Sequence, residues 1–417
     1  MDWGCVKLGS LIEGLDAGTS VTGIDRPAES HEVGVLKVSA VSQGKFKPYE
    51  NKAILSLSEI ERATGRPKKG CIIISRSNSP ELVGDAALVD VDTPNLYLPD
   101  KLWQARTAGE EIVCERWLLQ ALLEPRMRLE MKNRASGTSQ SMKNISKESL
   151  LTIPVALPPL PEQRKIADIL STWDEALTQL DALIEAQERR KKALMQQLLT
   201  GRRRLKGFDQ SKGKTASDRF GIYPADWKRV RLGEITNEVP TKNAEGTDLP
   251  VLSCTKHRGL VLSQEYFGKR VYAEDTSGYR LVQRGEFAYA TNHIEEGSIG
   301  YQNICDAGLV SPIYTVFKTT EAVDDSYLFR VLKSPLLIHF YQINTSASVD
   351  RRGSLRYDEF SRIHIWLPGK EEQTAIAQVF DTADQQLTLL RTQRSALDQQ
   401  KRGLMQRLLT GKLRVKQ

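Results

Sequence analysis

The segment Arg126 to Lys143 reads RMRLEMKNRASGTSQSMK, in which Arg126, Arg128, Lys132 and Arg134 lead into the tract Gly137, Thr138, Ser139, Gln140, with Lys143 just beyond. Guanidinium groups pair with the guanine edge and Asn or Gln amides with adenine, while Lys, Ser, Thr and backbone N–H groups hold phosphate. This chemistry suits the reading of a nucleic-acid groove, and a solvated surface loop is the alternative. A second tract, NTSASVDRRGSLR from Asn344 to Arg356, carries Ser348, Arg351 and Arg352 at the corresponding place in the second half of the chain. Shorter candidates of the same kind are SRSNSP, with Arg76 and Asn78, and ATNHIEEGS, with Asn292 and His293.

Catalytic constellations are missing by comparison. No G-x-x-x-x-G-K-[ST], G-x-G-x-x-G or G-x-S-x-G is present, so triphosphate cradles, dinucleotide turns and nucleophile elbows are not indicated. The one Pro-Pro pair, Pro158 and Pro159, lies between leucines and not in the Asp/Asn-Pro-Pro-aromatic setting of an amino-methyltransferase. The E-x-K within EPRMRLEMK lacks the upstream acid of a metal-dependent nuclease. The five cysteines and five histidines are scattered without metal-ligand spacing, so no metal site is expected.

The 417 residues call for two or three domains. Their 40% hydrophobic content and mean hydropathy of −0.39 belong to a soluble globular protein. No 18-residue apolar run and no secretory signal are present, so a cytoplasmic address with no membrane role is expected. The net charge of +7 is unevenly placed. It is zero over residues 1–150 and −1 over 219–360, but +3 over 151–218 and +5 over 361–417.

Those two basic segments are copies of one another. Residues 162–206 align without gaps on 372–416, 210 positions later, with 20 of 45 residues identical. Apolar residues recur at steps of four and three: Ile166, Leu170, Trp173, Leu177, Leu180, Ile184, Leu194 and Leu198. In the second copy they are Ile376, Phe380, Leu387, Leu390, Leu397, Leu404 and Leu408. Such a seam predicts two long helices pairing with each other, each about 40 residues and roughly 60 Å long. Pro161 suits a first turn, and Gly201 and Gly411 suit C-caps. Lys191 and Lys401 interrupt both seams and call for an exposed end or a facing carboxylate. The RRRLK after Thr200 suits either phosphate contact or the helix dipole.

The intervening segments also run in parallel. DWGCVKLGSLIE resembles DWKRVRLGEITN, KKGCIIISRS resembles VQRGEFAYAT, and LLTIPVALP lies over FSRIHIWLP. Short β-branched runs mixed with helical stretches such as ERWLLQALL predict α/β globules. The expected order is a globule over 1–150, a long-helix repeat over 151–206, a flexible linker over 207–220, a second globule over 221–360 and the C-terminal repeat over 361–417. Antiparallel pairing of the helices would give an internal pseudo-two-fold axis.

Two variable globules, each followed by a helix entered through PPLPEQRKIADIL or PGKEEQ and closed by L-M-Q-x-L-L-T-G, with paired D-W-x-x-V-x-L-G openings and the S-G-T-S-Q tract, resemble the specificity subunit of type I restriction-modification enzymes. The resemblance implies a mixed α+β chain: two α/β target recognition domains separated by two long helices forming an antiparallel coiled coil. It implies a non-catalytic subunit of a DNA methyltransferase and restriction endonuclease complex that reads a bipartite, asymmetric site in double-stranded DNA. Two methyltransferase subunits and, through them, restriction or translocase subunits would be its partners. S-adenosylmethionine, ATP and Mg would belong to those partners, with no cofactor in this chain. The DNA contacts would come from Arg76, Asn78, Arg134, Gly137, Thr138, Ser139, Gln140, Lys143, Asn292, His293, Ser348, Arg351 and Arg352. A specificity chain of a related restriction-modification type, a single-chain methylase or nuclease, and a coiled-coil scaffold without a DNA role are the rival readings.

Overall fold

The computed structural model describes residues 3–139, 142–209, 213–218, 221–346 and 354–415. The chain divides into two compact units, one made of Met1–Ala182 with Arg391–Gln417 and the other of Leu183–Leu390. Each unit therefore contains part of each long helix, Leu160–Leu198 and Lys370–Leu409.

In the first unit a four-stranded antiparallel sheet runs in the order Ile12–Ala17, Leu102–Thr107, Ile72–Ser75, Ala86–Leu88. The run Ile72, Ile73, Ile74 is wholly buried because strands flank it on both sides and helices cover it. The helices Glu115–Leu123 and Pro125–Arg134 close the core, with Trp117, Leu118, Leu122, Met127 and Met131 turned inward. The opening strand Gly4–Lys7 pairs antiparallel with Pro154–Leu157, so the start of the globule is tied to its end.

The second unit repeats this plan. Its sheet orders Thr236–Glu238, Tyr314–Thr319, Phe287–Ala290, Ile299–Tyr301, its helices are Asp325–Leu332 and Pro335–Ser346, and its opening strand Lys228–Arg231 pairs with His364–Leu367. An aromatic core of Phe287, Tyr289, Phe317, Tyr341 and Phe360 takes the place of the aliphatic one.

The helices pair antiparallel. Lys191 bonds Asp384 within the second unit, while Lys401 meets Asp174 at 2.6 Å and Arg394 meets Asp181 at 3.0 Å within the first. The two numbers of each pair have the same sum, as a constant antiparallel register requires. Lys191 and Lys401 thus face carboxylates, and each of the two pairs is the other displaced by the 210-residue repeat. All fifteen seam residues, from Ile166 to Leu408, are buried or half-buried, whereas off the seam Leu183 and Leu389 are 44% and 59% exposed. The narrow seam is nevertheless only part of the packing. Ile166, Ala167 and Leu170 join the first core together with Met405, Leu408 and Leu409; Ile376, Ala377, Phe380 and Leu198 join the second. The helix ends are built into the globules and not only onto each other.

Two sequence expectations are corrected. The linker read over 207–220 contains a strand, Thr215–Asp218, paired with Gly221–Pro224. The cationic stretch read as a loop is helical over Pro125–Arg134, because Met127 and Met131, four residues apart, anchor one face in the core.

The repeated termini have a specific purpose. Glu162 accepts from Arg414 at 2.8 Å and from the Trp3 indole at 3.2 Å. Its twin Glu372 accepts from Arg204 at 2.6 Å and from the Trp227 indole at 3.2 Å. Gln163 accepts from the Cys114 amide and donates to the Ile112 and Pro158 carbonyls; Gln373 accepts from Asp324 and donates to Ala322 and Pro368. The Glu-Gln pair at each helix start thus locks its own globule and the end of the other helix. The last arginine of RRRLK turns into the fold: Arg204 is 10% exposed and bridges Glu372 and Asp226.

Candidate nucleic-acid interface

In the first unit the chain leaves the central strand at Ser75 and turns into the short strand Ser77–Asn78. That strand pairs with Met142–Asn144, which pairs in turn with Ser136–Ser139. The small sheet brings Asn78, Gly137 and Lys143 together, with Lys143 directly opposite Asn78. Lys143 donates from Nζ to the Gly137 carbonyl at 3.1 Å, which leaves two of its three donors for other partners. Asn78 is engaged locally, with Nδ2 on Ser75 and Oδ1 taking the Ser79 amide. The Arg76 guanidinium lies over the Trp103 ring, 5.6 Å from its centre, with a buried, unpartnered Nε. Exposed Ser136, Gly137, Met142 and Asn144 complete the surface.

Arg134 stands apart from this group. It bonds Glu130, the Ser149 carbonyl and Thr152, which fixes the end of its helix. Arg128 likewise turns inward to Asp85, which is 2% exposed. Thr138 and Ser139 belong to the strand Ser136–Ser139, and Gln140 lies outside the described residues.

The second unit places its candidates in the equivalent position. After the strand Phe287–Ala290 come Thr291, the half-buried Asn292 and the exposed His293, then a short 3-10 turn ended by Gly297. The Leu355 amide donates to the Thr291 carbonyl at 2.9 Å, just as the Ile145 amide donates to the Arg76 carbonyl at 3.0 Å in the first unit. Asn292 borders a cleft of about 560 Å³ lined by Glu238, Arg280, Tyr314, Arg356 and Tyr357. Ser348, Arg351 and Arg352 lie outside the described residues.

His293, Glu295 and Glu296 offer ligand atoms within 4.8 Å of one another, but the His293 and Glu296 side chains are each 58% exposed and no ion is assigned to them. The cysteines are free thiols, and burial pushes the Cys254 thiol up to about 12, which disfavours its thiolate form. No described helix is long and apolar enough to cross a membrane.

The sequence reading missed the Glu162, Gln163 and Arg204 locks, although all three are identical in the two copies. It also passes over the basic and aromatic segment 256–270.

The family model of the type I restriction modification DNA specificity domain matches residues 2–188 and again 224–399. The type I restriction enzyme MjaVIII specificity subunit of Methanocaldococcus jannaschii is 25% identical over 353 residues, covering 76% of this chain and 79% of that protein. The crystal structure of a type I restriction-modification S subunit from M. genitalium matches 98% of this chain and 96% of its own, with a TM-score of 0.59 at 15% identity. A structure from work on complex assembly and conformational transition of the type I R-M system covers 99% and 98%, with a TM-score of 0.57 at 17% identity. The structural likenesses show the fold, and the sequence match over both halves shows the family. The chain belongs to the type I restriction-modification DNA specificity family, and it is the subunit that recognises DNA sequence.

Proposed function

We propose that this chain reads a bipartite, asymmetric DNA site, one part through each unit, and performs no chemistry itself. The observation that carries this reading is the repeated placement of a polar tract against the segment leaving the central strand: residues 136–139 and 142–144 beside Arg76 to Asn78, and the return at Ser354 and Leu355 beside Thr291 to His293. Two different side-chain sets in one backbone frame suit two different half-sites. Methyl transfer and ATP-driven restriction belong to partner subunits that bring S-adenosylmethionine, ATP and Mg, and the assembly acts in the cytoplasm.

Docking of two methyltransferase subunits is supported by a duplicated cleft. In the second unit a cavity of about 380 Å³ is bordered by Leu199, Thr200, Pro335, Leu337 and Ile365. In the first, one of about 400 Å³ is bordered by Leu409, Thr410, Met127 and Val155. Most of these residues correspond under the 210-residue offset, so one partner type has two comparable seats.

The test uses the chain assembled with its methyltransferase and duplexes carrying the site found by base-resolution methylation mapping. Asn292→Ala is expected to cost roughly 10- to 200-fold in affinity and to relax discrimination at one position. Lys143→Met should weaken binding to all sequences and reduce the salt slope by about 1. An assembled complex with no DNA affinity would refute the DNA-reading role. Methylation by the purified chain alone would refute its passivity.

A further inference from the structure

The second unit carries a basic and aromatic surface outside the candidate readout loops. The strands Leu252–Thr255 and Gly259–Leu262 form a hairpin whose turn exposes Lys256, His257 and Arg258. The turn is held rigid: the Arg258 amide donates to Thr255 Oγ1 at 3.0 Å, that hydroxyl donates to the Gly259 carbonyl at 3.1 Å, and Gly259 takes φ +71°. The following helix, Ser263–Phe267, presents Tyr266 and Phe267, which are 47% and 46% exposed and meet edge to face at 5.0 Å. Lys269 and Arg270 come next, both exposed. Arg258 lies 5.9 Å from the Tyr266 ring centre and Arg270 lies 4.9 Å from that of Tyr272.

Among the described residues, Lys256, Arg258, Lys269 and Arg270 have no carboxylate partner, although residues 219–360 carry a net charge of −1. Four cations without carboxylate partners, Arg270 also donating to the Ala273 carbonyl at 3.0 Å, surround two half-exposed rings on an otherwise slightly acidic globule and are adapted to a polyanion that also offers flat apolar faces.

This surface is fastened to the readout loop. Lys333, at the end of the helix Asp325–Leu332, donates from Nζ to the carbonyls of Thr255 at 3.3 Å, Gly297 at 3.0 Å and Ile299 at 3.1 Å. One half-buried ammonium thereby joins the start of the hairpin turn to the far end of the Asn292–Gly297 loop. The backbones also touch: a Cβ on Gly300 would lie 2.4 Å from the Leu260 nitrogen. Under the repeat the counterpart of Lys333 is Leu123, which packs toward Gly44 in the hairpin turn of the first unit. That turn, Ser42-Gln43-Gly44-Lys45, has one cation in place of the Lys-His-Arg cluster.

We infer that Lys256, Arg258, Lys269 and Arg270, with Tyr266 and Phe267, form a second DNA contact of the second unit, the cations on backbone phosphates and the rings against sugar or base faces. Lys333 is the positioning residue that keeps this contact in register with the readout loop. The inference rests on the reading of the chain as a DNA reader. An acidic peptide is the competing occupant, and the adjacency to the Asn292 loop favours DNA.

The experiment uses the complex of the full chain with its methyltransferase, a duplex carrying the mapped site and a scrambled duplex of equal length, titrated across a salt series. The quadruple variant Lys256→Gln, Arg258→Gln, Lys269→Gln, Arg270→Gln should bind both duplexes at least tenfold more weakly. The slope of log affinity against log salt should flatten by about 2 to 3.6, while the methylated sequence stays the same. Tyr266→Ala with Phe267→Ala should weaken binding with the slope unchanged. Lys333→Leu, which installs the residue found in the first unit, should weaken binding and flatten the slope while the Asn292 loop is intact in sequence. Lys333→Arg should recover part of the loss. Unchanged affinity and slope in the quadruple variant, with an unchanged melting temperature, would overturn the inference, and loss of methyltransferase assembly in that variant would assign the surface to protein. If the unmodified complex fails to prefer the mapped site, DNA reading itself fails, which is a separate outcome.

Discussion

Arg204→Met is expected to lower the midpoint of thermal unfolding by about 6 to 20 °C. Arg204 bridges Glu372 and Asp226, with side-chain exposures of 10%, 4% and 21% respectively. Removing the cation leaves Glu372 buried with the Trp227 indole, at 3.2 Å, as its remaining hydrogen bond outside the arginine. Breaking a buried pair from one side costs about 3 to 5 kcal/mol, and a unit of this size loses about 2 to 4 °C per kcal/mol. The double variant Arg204→Met, Glu372→Met should regain much of that loss, because no uncompensated charge is then buried. Equal melting points for the single and double variants would count against the lock. The related Arg414→Met should cost less, since Arg414 is 45% exposed and water screens its pair with Glu162. The Arg414 guanidinium, helped by the Trp3 indole and the Val415 amide, holds the Glu162 carboxyl below the usual range. A depressed folded value means that the stabilisation is complete above the ordinary Glu range of roughly pH 4 to 5 and is lost as pH falls through the lower folded value. Glu162→Gln should therefore flatten the acid side of the stability profile.

These locks explain which parts of the molecule were legible beforehand. Periodicity exposes what is local: the seam from Ile166 to Leu198, the helix Glu115–Leu123, and the caps at Gly201 and Gly411, with φ of +69° and +70°. Duplication doubles that signal, because a pattern found twice at the same offset is not chance. Partners distant in sequence leave no such trace. Nothing near Glu162 announces Trp3 or Arg414, so identity in both copies marks the residue as important without stating its purpose. Composition misleads where one face of an element is overwhelmingly polar. Four cations and an asparagine obscure the Met127 and Met131 stripe, and the polar Thr-Ala-Ser-Asp strand at 215–218 reads as tether in isolation because its partner, Gly221–Pro224, supplies the order. The polar residues that the sequence groups together are only in part neighbours in the fold. Lys143 and Gly137 share one small sheet, whereas Arg134, equally basic and only a few residues away, is drawn into the fold by Glu130 and Thr152.

Lengthening both long helices by one turn is expected to change the spacing of the DNA target without changing its half-sites. Each helix contributes part of its length to each unit, and none of the candidate base contacts lies on either helix. Four residues inserted after Ala182 and after Thr392 fall at corresponding points of the repeat and at facing points of the antiparallel register set by Lys191–Asp384 and Lys401–Asp174. A four-residue insertion is a stutter, which a two-helix coil accommodates by local unwinding. It adds roughly 6 Å of rise, against about 3.4 Å per base pair of duplex. The unspecified gap in the methylated site should widen by about one or two base pairs, with both half-sites intact. Methylation mapping in cells expressing the lengthened chain reads both quantities at once. Altered half-sites with an unchanged gap would mean that the helices do not set the spacing. Insertion into one helix alone breaks the facing register of Lys401–Asp174 or Lys191–Asp384 and should abolish methylation, which separates a ruler from a tolerant hinge.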